Sequence, residues 1–334
     1  MPEVWVAGYP SFVGGAGVEL DRLIDLWRSY NVEVNLVPFA DVDPAMKTSC
    51  DRRGCVTHAF RPDVFAGKVV VAFCNRAFLQ RLPEIERPRL TVWAGCMTFP
   101  VREEIRAHEA GLIDLFIFQT PYQRRQISSA LESIGPVAEL SGYFPYCDLS
   151  EQLPFVADRP SDYYGVGRVS SDTAQKYAAD TWDIFAAVRA PVPTKAFVLG
   201  YGPSAKEKCG SPPASLDAQT FKPNEIPICD FYPKIHCMIH KTGGSRENFP
   251  HVLIEAWSSG VAFIGENDYG LKDVVQNGVN GFLCDSSEEM AARASELAFN
   301  DELRRKVTRN GYEFVRAALG DKAKAWRVWE NILD

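Results

Sequence analysis

The segment Ser245-Arg-Glu-Asn-Phe-Pro-His-Val-Leu-Ile-Glu-Ala-Trp-Ser-Ser-Gly260 is the most informative stretch of the chain. It predicts a loop leading into a helix, because Pro250 suits a first helical turn and Gly260 suits the residue just past a helix end. Glu247 then precedes the helix and Glu255 lies inside it. Since a helix N-terminus presents free N–H groups and a positive potential, two flanking carboxylates can bind the hydroxyls of a sugar and a ribose. The spacing alone favours a solvated acidic loop and a surface Glu.

Short apolar runs alternate with helical patterns on both sides of this segment. The predicted strands are Val4–Gly8, Val32–Val37, Lys68–Phe73, Leu90–Trp93, Leu115–Phe118, Val137–Leu140, Tyr163–Val166, Lys195–Leu199, Cys237–His240, Val261–Ile264 and Gly281–Leu283. The predicted helices are Val18–Tyr30, Glu103–Ala110, Pro121–Ile134, Ala174–Val188, Pro250–Ser259, Leu271–Asn277, Ser287–Asn300, Asp301–Ala318 and Lys322–Leu333. Because strands alternate with helices throughout, the pattern predicts an α/β fold with parallel, doubly wound sheets.

The chain length of 334 residues predicts about two domains. Three prolines interrupt the periodic pattern between residues 143 and 160, and we interpret this stretch as the linker. We therefore predict an N-terminal domain over residues 1–150 and a C-terminal domain over residues 151–317, both Rossmann-like and facing each other across a cleft. Residues 318–334 are predicted to form a helix that packs back on the N-terminal domain.

The composition is that of an ordinary globular protein, with 46% hydrophobic and 24% charged residues. The formal net charge of −7 argues against a surface built for nonspecific binding of nucleic acid or anionic lipid. No apolar run approaches the roughly 20 residues of a membrane span, and no signal peptide is recognised, so we expect a cytoplasmic protein. The nine cysteines are scattered without a Cys-x-x-Cys pair, which predicts reduced, mostly buried thiols and no metal site.

Seven residues separate Glu247 from Glu255, and two further motifs follow in order: Gly260-Val-Ala-Phe-Ile264 and Gly270-Leu-Lys-Asp-Val-Val-Gln-Asn-Gly-Val-Asn-Gly-Phe-Leu283. This set resembles the Glu-x7-Glu motif, the following strand and the Asn-Gly-x-Asn-Gly turn of retaining, group 1 or family 4-like glycosyltransferases with the GT-B fold. The resemblance covers roughly residues 160–315. It implies that the C-terminal domain binds most of a nucleotide diphosphate sugar and that the N-terminal domain binds the acceptor.

A second motif, Tyr164-Gly-Val-Gly-Arg168 followed by Lys176, is similar to another segment of that family. A guanidinium at a strand end and a nearby ammonium suit a diphosphate, whose negative charge grows as the sugar departs. The resemblance implies that Arg168 and Lys176 stabilise this leaving group. It also implies that Glu247 holds the transferred sugar and that Glu255 binds the ribose hydroxyls. Lys176 stands in Ala-Gln-Lys-Tyr rather than the usual Glu-Lys-Gly, and we place it at the start of a predicted helix.

Glycine-rich segments complete the predicted donor site. The loop 8–17 precedes the first helix, and the equivalent loop of the resembled family faces the donor phosphates and the acceptor. It matches neither the GxGxxG spacing nor a Walker A loop. Taken alone, such glycines are explained equally well as turns of the chain. The further donor-binding candidates, including those of the strand end at 195–203 and the loop after residue 240, are Gly14, Gly15, Gly200, Gly202, Lys241, Gly244, Asn248 and Phe249.

The predicted acceptor side departs from the family pattern. The stretch Thr91–Thr98 lacks the His that many members place beside the transferred sugar, and we interpret His240 as a packed or hydrogen-bonded strand residue. The acceptor is left open among a glycan, a lipid-linked sugar, a small molecule and a modified DNA base. DNA is not favoured, because an ordinary solvated surface explains the neighbouring arginines Arg52 with Arg53, Arg87 with Arg89 and Arg124 with Arg125 better than a DNA groove does.

The predicted reaction is a metal-independent transfer of a sugar from a nucleotide diphosphate, with UDP favoured, to an acceptor hydroxyl. The resemblance implies retained anomeric configuration, with the leaving phosphate taking the acceptor proton. The nucleotide sugar is a co-substrate, and no other cofactor is predicted. Two alternatives stay open: a sugar-nucleotide epimerase of the same architecture, and a non-catalytic binding or scaffold subunit that kept the fold.

Overall fold

The computed structural model describes residues 1–12, 14–150 and 152–333 of the chain. The chain forms two units, one made of Met1–Cys147 together with the residues from Leu319 onward, and the other made of Asp148–Ala318. The chain passes from one unit to the other after residue 147 and again after residue 318. The boundaries predicted from the sequence come after residues 150 and 317. Each unit is built around a six-stranded sheet.

The sheet of the first unit has the strand order of a Rossmann domain. Its strands are β1 (Glu3–Ala7), β2 (Glu33–Val37), β3 (Val56–Thr57), β4 (Val69–Phe73), β5 (Leu90–Ala94) and β6 (Leu115–Ile117). They lie in the order β3-β2-β1-β4-β5-β6, and all pair in parallel. The helices are α1 (Gly15–Ser29), α2 (Pro44–Arg52), α3 (Arg76–Arg81) with a 3₁₀ turn at Leu82–Glu84, α4 (Arg102–Glu109) and α5 (Pro121–Leu131).

Both faces of this sheet are buried, which is why its central strands read as continuous apolar runs. Val4 and Val6 of β1 belong to one apolar cluster with the buried stripe of α1, and Trp5 and Ala7 belong to another. Because successive side chains of a strand point to opposite faces, the two clusters lie on opposite sides of the sheet. Burial of each large apolar side chain contributes about 1.5–3 kcal/mol.

The second unit repeats the same strand order. Its strands are β7 (Tyr164–Val169), β8 (Thr194–Leu199), β9 (Asp217–Phe221), β10 (Cys237–His240), β11 (Ala262–Glu266) and β12 (Phe282–Cys284). The order β12-β11-β10-β7-β8-β9 is again entirely parallel. The helices are α6 (Thr181–Ala187), α7 (Pro203–Cys209), α8 (Ile228–Phe231), α9 (His251–Ser258), α10 (Leu271–Val274), α11 (Ser287–Phe299) and α12 (Asp301–Phe314), with 3₁₀ turns at Ala174–Lys176 and Tyr232–Lys234.

The C-terminal helix returns to the first unit. A π-helical segment, Val315–Leu319, follows α12, and α13 (Lys322–Leu333) then packs on α1. The rings of Trp329 and Trp27 meet edge to face with 5.0 Å between centroids, and Trp326 stacks on Tyr30 at 4.5 Å. Helix α13 therefore covers the apolar face of α1 and completes the core of the first unit.

Two predicted elements differ from the structure. Val137–Leu140 is not a strand, because it forms only one isolated bridge, between Glu139 and Phe116 of the three-residue strand β6. The predicted helix Ala174–Val188 is interrupted, and Lys176 lies in a 3₁₀ turn rather than at the start of an α-helix. Its backbone carbonyl accepts a hydrogen bond from the Arg168 side chain, so this carbonyl serves the tertiary structure instead of a helix.

The prediction that all cysteines are reduced is also wrong for two of them. Cys74 and Cys96 form a disulfide, with their Cα atoms 5.9 Å apart. They follow the adjacent strands β4 and β5, whose parallel pairing brings both chain ends to the same edge of the sheet. The sequence separates them by 22 residues, so the proximity arises from strand pairing.

Candidate donor site

The candidate site lies at a switch point of the second unit. The chain builds β7, β8 and β9 toward one edge of the sheet and then begins again with β10 on the other side of β7. The loops that follow β7 and β10 therefore diverge at the carboxyl ends of these strands. Open α/β sheets bind ligands at such a point. Arg168 is in β7, Lys176 is in the loop after it, and Glu247 is in the loop after β10.

Arg168 is a buried cation, with 1% of its surface exposed. Its Nη1 donates to the Ile239 carbonyl oxygen at 3.4 Å, its Nη2 donates to the Lys176 carbonyl, and its guanidinium lies 5.0 Å from the ring centre of Tyr177. The Nε atom has no hydrogen-bond partner among the described residues. Burial lowers the pKa of the guanidinium, yet an arginine remains charged. A buried cation with an unsatisfied donor is suited to an anionic ligand.

Lys176 and Glu247 form an ion pair across the two loops, with 2.5 Å between Nζ and Oε1. Burial acts to raise the pKa of the Glu247 carboxyl, but the interactions with His240 and Lys176 outweigh it and place the pKa below 4.5. The side chain of Glu247 is 9% exposed and that of Lys176 is 33% exposed. The Glu247 carboxyl is therefore ionised near neutral pH, and part of the Lys176 side chain remains open to solvent.

The two loops are held together by their backbones. Gly243 donates its N–H to the Gln175 carbonyl oxygen at 2.9 Å, and Ser245 donates to the same oxygen at 3.1 Å. A Cβ atom at position 243 would lie 2.0 Å from the carbonyl oxygen of Tyr177. Only a glycine allows this approach, so Gly243 sets the distance between the Lys176 loop and the Glu247 loop. Sequence analysis did not single it out.

A second glycine supports the segment Glu247–Phe249 from behind. Gly270 donates its N–H to the Glu247 carbonyl oxygen at 3.0 Å, and a Cβ atom there would lie 1.8 Å from the carbonyl oxygen of Asn248. Asn248 and Phe249 are 5% and 8% exposed. The start of α9 is therefore a rigid turn, which positions the backbone around Glu247.

His240 ends β10 within this cluster and is 2% exposed. Neither ring nitrogen has a hydrogen-bond partner among the described residues. Burial and then the charge of Arg168 lower the pKa of the imidazole to about 3, so the ring is neutral at pH 7. Lys176 is therefore the neighbouring cation that stabilises the Glu247 carboxylate at that pH. As interpreted from the sequence, His240 is a packed strand residue.

Residues 158–314, which contain this switch point, match the sequence model of the family described as glycosyl transferases group 1. The match covers just under half of the chain. The predicted resemblance is thereby confirmed for this part of the chain. No curated protein sequence is significantly similar to the chain.

Solved structures extend the likeness of fold to the whole chain. Anabaena HepE in complex with UDP and glucose superposes with a TM-score of 0.73 at 17% identity, over 99% of each chain. A variant of Staphylococcus aureus TarM, in a complex that contains UDP, superposes with a TM-score of 0.72 at 10% identity over 100% of each chain. WaaG, a glycosyltransferase of lipopolysaccharide biosynthesis, gives 0.62 at 14% identity over 96% of this chain and 98% of its own. With two parallel six-stranded sheets, the chain has the predicted GT-B fold.

Other predicted donor-binding residues of the second unit have partners within that unit. Tyr232 donates its hydroxyl to Oε2 of Glu255 at 2.8 Å. Lys241 donates from Nζ to Oδ2 of Asp180 and to Oγ of Ser287, both at 2.6 Å. Lys241 is thus bound to a carboxylate other than Glu247. Gly244, at φ +120, would accommodate no ordinary side chain without backbone strain, although the space around it is open.

Gly200 and Gly202 pack against the loop that follows β7. A Cβ atom at Gly200 would lie 1.7 Å from the Ser170 carbonyl oxygen, and one at Gly202 would lie 2.1 Å from Oδ2 of Asp172. Asp172 in turn accepts a hydrogen bond from the Ala205 N–H of α7 at 2.8 Å. The two glycines therefore bring the end of β8 close to the Lys176 loop.

Gly14 and Gly15 belong to the first unit and precede and begin α1, respectively. Gly14 has φ +82 and nothing lies within 4 Å of a Cβ built there, so its role is conformational at the helix start. Both glycines are exposed. Their predicted contact with a donor remains a prediction.

Three of the six arginines considered for a DNA groove form ion pairs within the first unit. One member of each pair forms an ion pair with a neighbouring carboxylate, and these contacts are Arg53 with Asp21 at 2.5 Å and Asp25 at 2.8 Å, Arg87 with Asp114 at 2.7 Å and Arg124 with Glu139 at 2.6 Å.

The described residues contain no cluster of three or more His, Cys, Asp or Glu arranged for a metal ion. None of the described helices has the length and apolarity needed to cross a membrane.

Proposed function

We propose that the chain transfers a sugar from a nucleotide diphosphate, most readily UDP, to an acceptor hydroxyl without a metal ion and with retention of configuration. The buried Arg168 guanidinium beside the Lys176 ammonium carries this proposal, because two cations at a switch point suit a diphosphate. The complexes of HepE with UDP-glucose and of TarM with UDP support the choice of nucleotide.

In the proposed reaction, Arg168 and Lys176 bind the diphosphate and stabilise the charge that develops as the sugar leaves. Glu247, held ionised by Lys176, accepts hydrogen bonds from hydroxyls of the transferred sugar. The backbone N–H groups of Asn248 and Phe249 contribute at the same turn. Glu255, held by Tyr232, binds the ribose hydroxyls.

The proposed reaction requires no protein base. The acceptor oxygen forms a bond to the anomeric carbon on the face from which the diphosphate departs, and the bond from that carbon to the phosphate oxygen breaks. The departing phosphate oxygen takes the acceptor proton. Arg168 therefore assists twice, because it favours departure of the phosphate and holds it close to the acceptor. The products are the glycoside and the nucleoside diphosphate.

Substitution at Lys176 tests the leaving-group assignment. We expect Lys176→Ala to lower kcat by about 10²–10³-fold, as removal of one charge-stabilising donor does in other enzymes, while the fold persists. Lys206→Ala, at an exposed position of α7, is the matched control and should retain full activity. Because Arg168 is buried, Arg168→Lys is preferred to Arg168→Ala: it keeps the charge and loses the planar fork. The assay measures UDP release from UDP-sugars with a panel of acceptors.

The other outcomes assign the chain to a different class. Full turnover in both Lys176→Ala and Glu247→Ala contradicts the proposed roles. Conversion of a UDP-sugar to its epimer without any acceptor indicates an epimerase. Failure of every nucleotide sugar to raise the unfolding temperature indicates a scaffold subunit, since a ligand of the native state stabilises it by mass action. Inverted configuration of the product, or loss of activity in EDTA, contradicts the proposed mechanism.

A further inference from the structure

The disulfide between Cys74 and Cys96 lies at the carboxyl edge of the first sheet, where a reagent in solution reaches it more easily than it reaches the buried thiols. Both cysteines are half-buried, and Cys74 lines a cavity of about 390 Å³ within the first unit. Cys50 and Cys55 of the same unit are buried and hydrogen-bond to each other, and both are free thiols. The oxidised pair is therefore the accessible one.

Strand pairing keeps the two cysteines close whether or not their sulfur atoms are bonded. β4 and β5 pair in register as far as Phe73 with Ala94, and the Cys74 N–H donates to the Ala94 carbonyl oxygen at 2.8 Å. Cys96 follows two residues later, and the Cα atoms of the two cysteines lie 5.9 Å apart, an ordinary separation for a disulfide. Because the sheet hydrogen bonds persist after reduction, the bond can form again without refolding of the chain.

Cys74 has a backbone conformation that is uncommon for a residue with a side chain. Its φ is +48, in the left-handed region that favours glycine. The Cys96 N–H donates to Sγ of Cys74 at 2.8 Å, so the loop after β5 contacts Cys74 through its backbone as well as through the disulfide. Residues in this region of φ persist where their surroundings hold them. Breaking the disulfide removes one of these constraints.

The disulfide joins two loops that have further attachments of their own. The segment between β5 and α4, loop 95–101, is held to α5 by Gln123, whose Nε2 donates to the Met97 carbonyl oxygen at 3.0 Å. In the loop after β4, Asn75 donates from Nδ2 to the Ala7 carbonyl oxygen at the end of β1, at 2.9 Å. The disulfide therefore connects the ends of β1, β4 and β5, and its state determines how firmly loop 95–101 is held.

We propose that Cys74 and Cys96 form a reversible redox site, which exchanges with a small thiol of the glutathione class, and that reduction releases loop 95–101 from the loop after β4. Seven further cysteines of the chain are free thiols. That pattern is typical of proteins from reducing compartments, whose disulfides are usually redox-sensing or catalytic. The proposal goes beyond sugar transfer and does not depend on it.

The proposed reaction is thiol–disulfide exchange. A glutathione thiolate attacks one sulfur of the pair, the bond between the two protein sulfurs breaks, and a mixed disulfide forms. A second glutathione thiolate then attacks the glutathione sulfur of the mixed disulfide and releases the second protein thiol. Two electrons and two protons pass from two glutathione molecules to the two cysteines, and glutathione disulfide is the other product. Oxidation of the pair by glutathione disulfide is the reverse reaction.

The first experiment measures the redox state of each cysteine. The folded chain is equilibrated in a series of buffers from reduced glutathione to glutathione disulfide, trapped with acid, unfolded and alkylated, and each cysteine peptide is identified by mass spectrometry. We expect Cys74 and Cys96 to pass together from thiol to disulfide along the series, and Cys50 and Cys55 to stay thiols. Cys229→Ser, at an exposed free cysteine, is the matched control and should not move the midpoint. A pair that stays in one state throughout, as thiols or as a disulfide, overturns the proposal.

The second experiment measures hydrogen exchange of the loop in both redox states. We expect the amides of residues 95–99 to exchange at least about threefold faster in the reduced chain, and the amides of β10 to exchange equally in both states. Cys96→Ser should show the fast rate, and glutathione disulfide should not slow it. This variant is preferred to Cys74→Ser, because it leaves the unusual backbone of Cys74 unchanged. Equal exchange of residues 95–99 in the oxidised and reduced chains overturns the release of the loop. Neither experiment requires transfer activity, so its outcome is separate from a test of the proposed function.

Discussion

Arg168 and Glu19 are ionisable side chains that folding removes from water, one in each unit. Arg168 keeps its charge, because a guanidinium is not deprotonated in a protein even where burial lowers its pKa. Glu19 instead takes up a proton: burial raises the pKa of its carboxyl to about 7, although hydrogen bonds from Tyr143 and Gln119 act in the opposite direction. Residue type thus decides whether burial preserves a charge or removes it.

Glu19 makes the stability of the first unit depend on pH. Its carboxyl has an ordinary pKa of 4.5 when unfolded and about 7 when folded, so its contribution is complete below pH 4.5 and is lost as the pH rises through 7. The shift corresponds to about 3 kcal/mol of unfolding free energy. We expect Glu19→Gln to remove most of this pH dependence. Hydrogen exchange of α1 amides from pH 5 to 8 measures it.

The control for this prediction is Glu109→Gln, at an exposed position of α4. Glu104 adds a second contribution of the same sign, since burial raises the pKa of its carboxyl to about 7 as well. The stability of the double variant Glu19→Gln with Glu104→Gln should therefore depend less on pH than that of either single variant. An unchanged pH profile in Glu19→Gln shows that its carboxyl is ionised in the folded chain.

At the scale of elements, the loops after β7 and β10 depend on close backbone approach more than on side-chain contacts. The interruption of the predicted helix 174–188 belongs to the same arrangement, because the carbonyl groups of residues 174–177 face Arg168 and the 243–245 backbone. Helix periodicity around Trp182 and Phe185 correctly indicated α6. That periodicity does not indicate that the turn before α6 accepts hydrogen bonds from the loop after β10.

Gly243→Ala tests this arrangement. A Cβ atom 2.0 Å from a backbone oxygen must displace one loop, so we expect a loss of about 1–3 kcal/mol in the free energy of unfolding and weaker UDP-sugar binding. Gly210→Ala is the comparison, because nothing lies within 4 Å of its Cβ and its φ of +69 imposes backbone strain alone. That variant should lose about 1 kcal/mol and retain its UDP-sugar affinity. Equal affinities in the two variants contradict the loop role of Gly243.

At the scale of the whole molecule, the two units share a strand order and differ in how the chain completes them. The second unit is continuous in sequence, whereas the first takes its last helix from the other end of the chain. Trp329 of α13 is 1% exposed and packs on Trp27 and Tyr143 of the first unit. The stability of the first unit therefore depends on residues that follow the second unit in the sequence.

Truncation of Trp329 should weaken one unit selectively. We expect Trp329→Ala to destabilise the first unit by roughly 3–5 kcal/mol through loss of buried contacts and the cavity it leaves. Hydrogen exchange should accelerate in α1 and β1 and stay unchanged in β7 and β10. Glu330→Ala, exposed on the same helix, should change neither unit. Equal destabilisation of both units would contradict this assignment of α13.

Local patterns predicted most of the regular structure. The apolar runs of β1, β2, β4 and β10 and the stripe of α1 are strong signals, because buried parallel strands give continuous apolar runs and amphipathic helices give apolar residues at helical spacing. The signal for α2 was present and missed: Asp43 caps the helix and Pro44 occupies its first turn. Val137–Leu140 had the composition of a strand but no neighbour long enough for a ladder.

The sequence by itself determined the α/β class and the family of residues 158–314, because spacing and residue type are local properties. Tertiary structure alone decided that Lys176 meets Glu247, that Gly243 sets the distance between their loops, and that Cys74 meets Cys96. Such outcomes depend on which carboxyl ends of strands become neighbours, and strand order is fixed by long-range pairing that no local pattern contains.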